Sequence, residues 1–329
     1  MTGSAAHLGG SPGPVFACGG IGGCMAHAKQ FKTYAEQVDL LRKRGLQIDD
    51  RAWAESFLQR FNYYRLSGYW YPQLKFTAED GVATENFIDG ASLDLVAALY
   101  EFDERLRHSV FRELERVEMA VRALLGYELG RIDPLIHLAP ESLGAQARQR
   151  LRDRQTRYEV WRGKYESALR VSKEDFVRHH QRKSRGEMPI WVAVEIMDWG
   201  MVSHLYGMSP NLARNRVAER CDLSAPQLES WLKSLNVLRN LAAHHARMFN
   251  RVYDIKPKLK KDVRLTPLAG TMNRVFGQLS LIQYLHRQLG LSQAERLPSL
   301  MATYPVNALV PLSRTGAPAQ WEELALWAR

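Results

Sequence analysis

From Ser92 to Gly130 the chain runs without a proline, and its apolar residues recur at helical spacing. Leu99, Leu106, Val110, Leu114, Val117, Val121 and Leu124 fall on one stripe, so the pattern predicts a single long amphipathic helix. Charged residues border that stripe. At about 100° per residue, Asp103, Arg107, Glu118 and Arg122 lie within roughly a quarter-turn arc at its edge. Groups placed there are expected to be partly buried and paired, Asp103 with Arg107 and Glu118 with Arg122. Such pairs either stabilise the helix or support a cleft from behind.

The remaining patterns are helical too. Thr33 and Glu36 form a capping box ahead of Tyr34, Val38 and Leu41, with Gly45 as the stop. Trp53, Phe57 and Phe61 repeat every four residues and lead into Asn62–Pro72, an aromatic-rich turn. That turn either packs between helices or offers Tyr63, Tyr64 and Trp70 for stacking on RNA bases, with Arg65 beside them. Residues 141–187 are dense in charge and weakly periodic; their run Arg178–Arg185 reads as a solvated connector or a phosphate contact. Pro189 opens a helix through Trp191, Glu195, Trp199, Val202 and Tyr206. A basic helix follows from about Asn211 to Cys221. Ser224 and Pro226 then start the helix of Leu228, Trp231, Leu232, Leu235 and Leu238, and a last one uses Met272, Val275, Leu279, Ile282 and Leu289 before Gly290. Strand alternation, a phosphate-cradling glycine loop and internal repeats are missing from the pattern. The expected fold is an all-α bundle.

Composition narrows the setting. Residues Met1–Cys24 hold 8 of the 23 glycines and no charged residue, and so are read within a disordered extension, 1–27. A helical and aromatic segment, 28–91, is expected to precede the bundle of 92–292, with a tail over 293–329 packing on it. Three cysteines, Cys18, Cys24 and Cys221, do not make a disulfide framework, and no apolar run is long enough to span a membrane. A cytoplasmic protein is expected. The net charge of +10 hints at an anionic partner such as nucleic acid.

One helix is expected to hold the chemistry. In Leu238–Arg251, Arg239, Asn240, His244 and Arg247 fall in one arc of about 140°, with Asn240 and His244 one turn apart. An arginine, an amide and an imidazole on one surface suit RNA cleavage without a metal or cofactor. The imidazole moves protons near neutrality, the guanidinium donates paired hydrogen bonds to phosphate, and the amide orients either. His245 adjoins them. Arg131 and His137 also match an Arg-x(4–6)-His spacing, but Pro134 interrupts that segment. From Arg247 to Arg264 seven basic residues face two acidic ones, and Arg251, Lys256, Lys258, Lys260 and Lys261 are expected to hold an RNA backbone. The pairs His179–His180 and His244–His245 cannot each chelate one metal in helical geometry.

Several segments together resemble the bacteriophage abortive-infection family of the AbiD/AbiF type, a branch of the HEPN superfamily. They are Phe31–Val38, Asn62–Pro72, Phe102–Arg107, Val117–Arg122, Pro189–Glu195 with Trp199–Gly200, Leu238–Arg251, and Gly316–Trp321 with Leu326–Trp327. The resemblance runs from about residue 30 to the C-terminus, with Trp199 where the family often has Phe. It implies a HEPN-like helical bundle and a role in phage defence. It also implies a homodimer that joins the Arg-x(4–6)-His motifs of two protomers across a cleft. On this chain the motif positions fall on Arg239, Asn240 and His244, with His245 also within the allowed spacing. The expected protein is therefore an endoribonuclease leaving 2′,3′-cyclic phosphate ends. The alternative is a non-catalytic RNA-binding protein of a phage-defence or toxin–antitoxin-like system, restrained by a small RNA.

Overall fold

The computed structural model describes residues 29–151, 154–183, 187–291 and 296–328. The Gly-rich stretch read as an extension, with Cys18 and Cys24, lies outside the described residues, as do Ser184 and Arg185 of the basic run.

Helix α1 (Tyr34–Lys43) begins at the expected capping box, with the Thr33 hydroxyl accepting from the Glu36 N–H and the Glu36 carboxylate accepting from the Thr33 N–H at 2.7 Å. Asp50 caps α2 (Arg51–Arg60), which buries Ala54, Phe57 and Leu58. The aromatic run that follows is not a turn. It forms α3 (Tyr63–Trp70), because the Asn62 side chain accepts from the Tyr64 N–H and starts a helix there. Beyond Pro72 lies a two-stranded antiparallel hairpin, β1 (Leu74–Phe76) and β2 (Ala83–Phe87). This small hairpin is an addition to the expected all-α bundle, and its strands are too short for period-two alternation to show.

Ser92 caps α4 (Leu93–Gly130), whose 38 residues extend about 57 Å at 1.5 Å per residue. Its predicted stripe is fully buried from Leu99 to Val121, while Leu124 is half-buried and Leu125 and Leu129 take over the core positions. Residues 141–187, weakly periodic in sequence, nevertheless form helices. They include α5 (Arg157–Val171) and α6 (Asp175–Lys183). A second capping box, Thr156 with Glu159, starts α5, which buries Tyr158, Trp161 and Tyr165.

The helix expected from Pro189 to Tyr206 is broken in two. Helix α7 (Ile190–Ala193) tightens into a 3-10 turn, Val194–Ile196, and α8 (Trp199–Met208) restarts where the Asp198 carboxylate accepts from the Met201 N–H at 2.7 Å. The Trp199 indole donates to the Leu232 carbonyl, which fixes the new direction. Helices α9 (Asn211–Arg220), α10 (Ala225–Ala243), α11 (Val275–Gln288) and α12 (Arg296–Met301) complete the bundle. Helix α4 is its spine, packing against α3 and against each of α7 to α12. Near its C-terminus α7 approaches so closely that a Cβ on Gly130 would stand 2.6 Å from the Trp191 ring. The C-terminal residues pack on α11, where Trp327 stacks on Phe276 at 4.3 Å and donates to Ser280. The fold is mostly helical, and no described helix is long and apolar enough to cross a membrane.

Candidate functional site

Helix α10 ends earlier than its sequence suggests. Its last residue is Ala243, so His244 is the C-cap and His245 adopts a left-handed conformation at φ 55°. The His245 N–H donates to the Ala242 carbonyl and the Ala246 N–H to the Leu241 carbonyl, which is the Schellman pattern of helix termination. Glycine usually fills that left-handed position; here a β-carbon is tolerated at some cost. Both histidines are exposed, while Arg239 and Asn240 on the last full turns are half-buried. Arg239 and His244 are about 7.5 Å apart along the helix axis, from the rise per residue.

Arg239 lies across α4. Its guanidinium stands over the Phe111 ring at 5.5 Å from the centroid. Two turns further along α4, Glu118 accepts from Arg122 at 2.7 Å, as expected, and Arg122 also donates to the Met197 carbonyl. Burial raises the Glu118 carboxyl above its ordinary range, against the pull of Arg122 and then of Arg239. Glu118 and Arg122 are thus the charged floor beneath Arg239. The Arg122 Nε is enclosed with no acceptor among the described residues.

The other predicted pair does a different task. Asp103 is fully buried and accepts from Arg107 at 2.7 Å, from the Tyr69 hydroxyl at 2.7 Å, and from the N–H groups of Met248 and Phe249. Burial pushes this carboxyl upward, and those four donors oppose the push. Burial also works against the Arg107 charge, but the Asp103 carboxylate holds the guanidinium above its ordinary value. The pair therefore anchors the backbone that follows the two histidines.

Helix α3 provides the second anchor. Arg65 donates to the His245 carbonyl at 2.7 Å and to the Tyr100 hydroxyl, with its guanidinium 5.5 Å from the Tyr100 ring. Arg247 lies beyond the helix and does not join the arc predicted for it. It donates to the Gly68 carbonyl, where a Cβ would meet its Nη1 at 2.8 Å, and burial lowers its pKa. Tyr63 likewise is no free platform: its hydroxyl accepts from Arg44 and its ring packs edge-on against Trp70. Tyr64 is exposed. The sequence reasoning passed over Gly68, Tyr69, Tyr100 and Phe111. A lone glycine within a bulky aromatic run was the one available sign of a close backbone approach at Gly68.

The basic segment is not where its sequence position places it. The Trp231 indole donates to the Lys258 carbonyl and the Gln227 amide to the Leu259 carbonyl, so the chain doubles back along α10 toward its N-terminus. Trp231 precedes Arg239 by about 12 Å of helix. Lys260 is engaged by Asp222, and Arg264 by Asp262 and the Tyr284 ring. Lys256, Lys258 and Lys261 are exposed, and Arg251 is half-buried near the histidine turn in sequence.

Among the described residues no cluster of three or more His, Cys, Asp or Glu could hold a metal ion. The arrangement instead offers an exposed imidazole at a helix end braced from α3 and α4, with a guanidinium on the turn before it. A family model described as Abi-like protein matches residues 56–250, more than half of the chain, and spans α3, the spine and the histidine turn. No curated protein and no solved structure matches the chain.

Proposed function

The chain belongs to the Abi-like protein family, and on that premise we propose that it is an abortive-infection endoribonuclease of HEPN type. Family membership supports the role in phage defence. The catalytic reading rests on one observation. The turn bearing His244 is fastened by Arg65 and Asp103 while its imidazole stays exposed, next to a half-buried guanidinium on the same helix. Rigid support around an accessible proton carrier is what positional catalysis requires.

In this reading two protomers place their α10 ends across a shared seam. One His244 takes the proton of a ribose 2′-OH as the 2′-oxygen bonds to the adjacent phosphorus. The bond from phosphorus to the 5′-oxygen breaks, and the His244 of the other protomer gives that oxygen a proton. Arg239 donates to the non-bridging oxygens, where charge accumulates. Asn240 orients the imidazole or a phosphate oxygen. The products are a 2′,3′-cyclic phosphate and a 5′-hydroxyl.

Purified protein incubated with RNA and EDTA tests this directly. Wild type should yield those ends, and Arg239→Ala or His244→Ala should each lower the rate at least 100-fold. Cleavage undiminished in both variants overturns the assignment. The exposed Lys256, Lys258 and Lys261 favour a second reading, a non-catalytic RNA-binding protein of the same defence. There the two variants would still protect cells against phage, while neutralising those lysines would abolish RNA binding.

A further inference from the structure

A groove of about 1300 Å³ lies away from the histidine turn, between α1, α3 and the hairpin. It exceeds the roughly 300–1,000 Å³ of small-molecule pockets, which favours a polymer as occupant. Three of the aromatic rings that line it are open to solvent: Phe31 is 89% exposed, Tyr64 62% and Tyr34 43%. The Lys29 ammonium lies 5.6 Å from the centre of the Tyr64 ring. Lys32 and Arg60 add exposed positive charge, and Glu85, the one acidic residue in the lining, is engaged by Arg44 at 2.7 Å. In its wall the Gln37 Oε1 is enclosed with no donor among the described residues.

We propose that this groove binds single-stranded RNA, whose bases stack on Tyr64 and Phe31 while Lys32 and Arg60 hold its phosphates. Flat rings with interspersed cations are the means by which proteins hold unpaired bases, since every base has a π face and every linkage a negative charge. A duplex keeps its base faces within its own stack. Helix α3 borders both the groove and the histidine turn. Tyr63, Tyr64 and Ser67 line the groove, while Arg65 grips His245 on the other side. A strand seated in the groove is thereby led around α3 toward Arg239 and His244. The inference rests on the ribonuclease reading only in taking RNA as the polymer.

The test uses the full chain with His244→Ala, so that bound RNA stays intact, and the anisotropy of a short labelled oligouridine. Tyr64→Ala should weaken binding roughly five- to hundred-fold, Lys32→Glu should weaken it with a shallower salt dependence, and Tyr64→Trp should restore it. Tyr64 is exposed, so thermal melting should be unchanged. Binding that ignores Tyr64, equal binding of a duplex, or equal competition by polyglutamate overturns the groove. These results are independent of the cleavage assay. If Arg239 and His244 prove dispensable while binding still depends on Tyr64, the catalytic assignment falls and the groove stands.

Discussion

At the scale of single residues, the backbone after the histidines is anchored by a carboxylate shut off from solvent, Asp103, and its buried partner Arg107. Asp103→Ala would strand Arg107 and two backbone N–H groups in a dry interior. A loss of about 3–5 kcal/mol in chemical denaturation is expected, the usual cost of unpairing a buried charge. His245 occupies a left-handed C-cap position, so His245→Gly should stabilise the protein by roughly 0.5–1 kcal/mol after glycine's larger unfolded-state entropy is deducted. If His244 is the proton carrier, that variant keeps cleavage; loss of cleavage would transfer the role to His245. His137 is fully buried with both ring nitrogens unpartnered among the described residues, and burial lowers its pKa to about 4. Its unfolded form binds a proton near pH 6.5, whereas the folded form resists until about 4. Stability should therefore fall as pH drops through that window, by up to about 3 kcal/mol, and His137→Phe should flatten the dependence in urea titrations at a series of pH values.

At the scale of elements, α3 decides how the histidine turn is set. Its eight residues present Arg65 and the Gly68 carbonyl to one side. Arg65→Ala removes the clamp on the His245 carbonyl without touching substrate, so kcat should fall about 100-fold with KM little changed. Arg65→Lys should recover part of the loss; a fall in melting temperature that tracks the rate would reduce Arg65 to a stabilising role. Two of the features that sequence periodicity missed share a cause. Helix α3 and the break between α7 and α8 depend on one side-chain cap each, Asn62 and Asp198, inside stretches whose apolar spacing runs on regardless. Helix α5 was legible in principle, through Thr156, Glu159 and the spacing of Tyr158, Trp161 and Tyr165. The density of surrounding charge outweighed it.

At the scale of the whole molecule, the proposed seam is exposed beside Arg239. Phe111 and Met119 are 40% and 46% exposed on α4, apolar groups on an otherwise charged helix face. If two copies meet there, Met119→Asp should convert a dimer to a monomer in light scattering and abolish cleavage while leaving the melting transition of the monomer intact. A dimer that survives the substitution would move the seam elsewhere.

Local information was sufficient for the capping box of α1, the long stripe from Leu99 to Val121 and both ion pairs on α4, because contacts within one or two helical turns depend on spacing alone. Tertiary structure decided the rest. Asp103 reaches Met248 across 145 residues, Arg65 reaches His245 across 180, and Arg247 turns to Gly68 rather than to its helical neighbours. The basic loop doubles back from the site because the Trp231 indole and the Gln227 amide donate to its carbonyls from α10. Such choices depend on which distant backbone groups are left needing a partner once the bundle closes, and periodicity along the chain does not encode them.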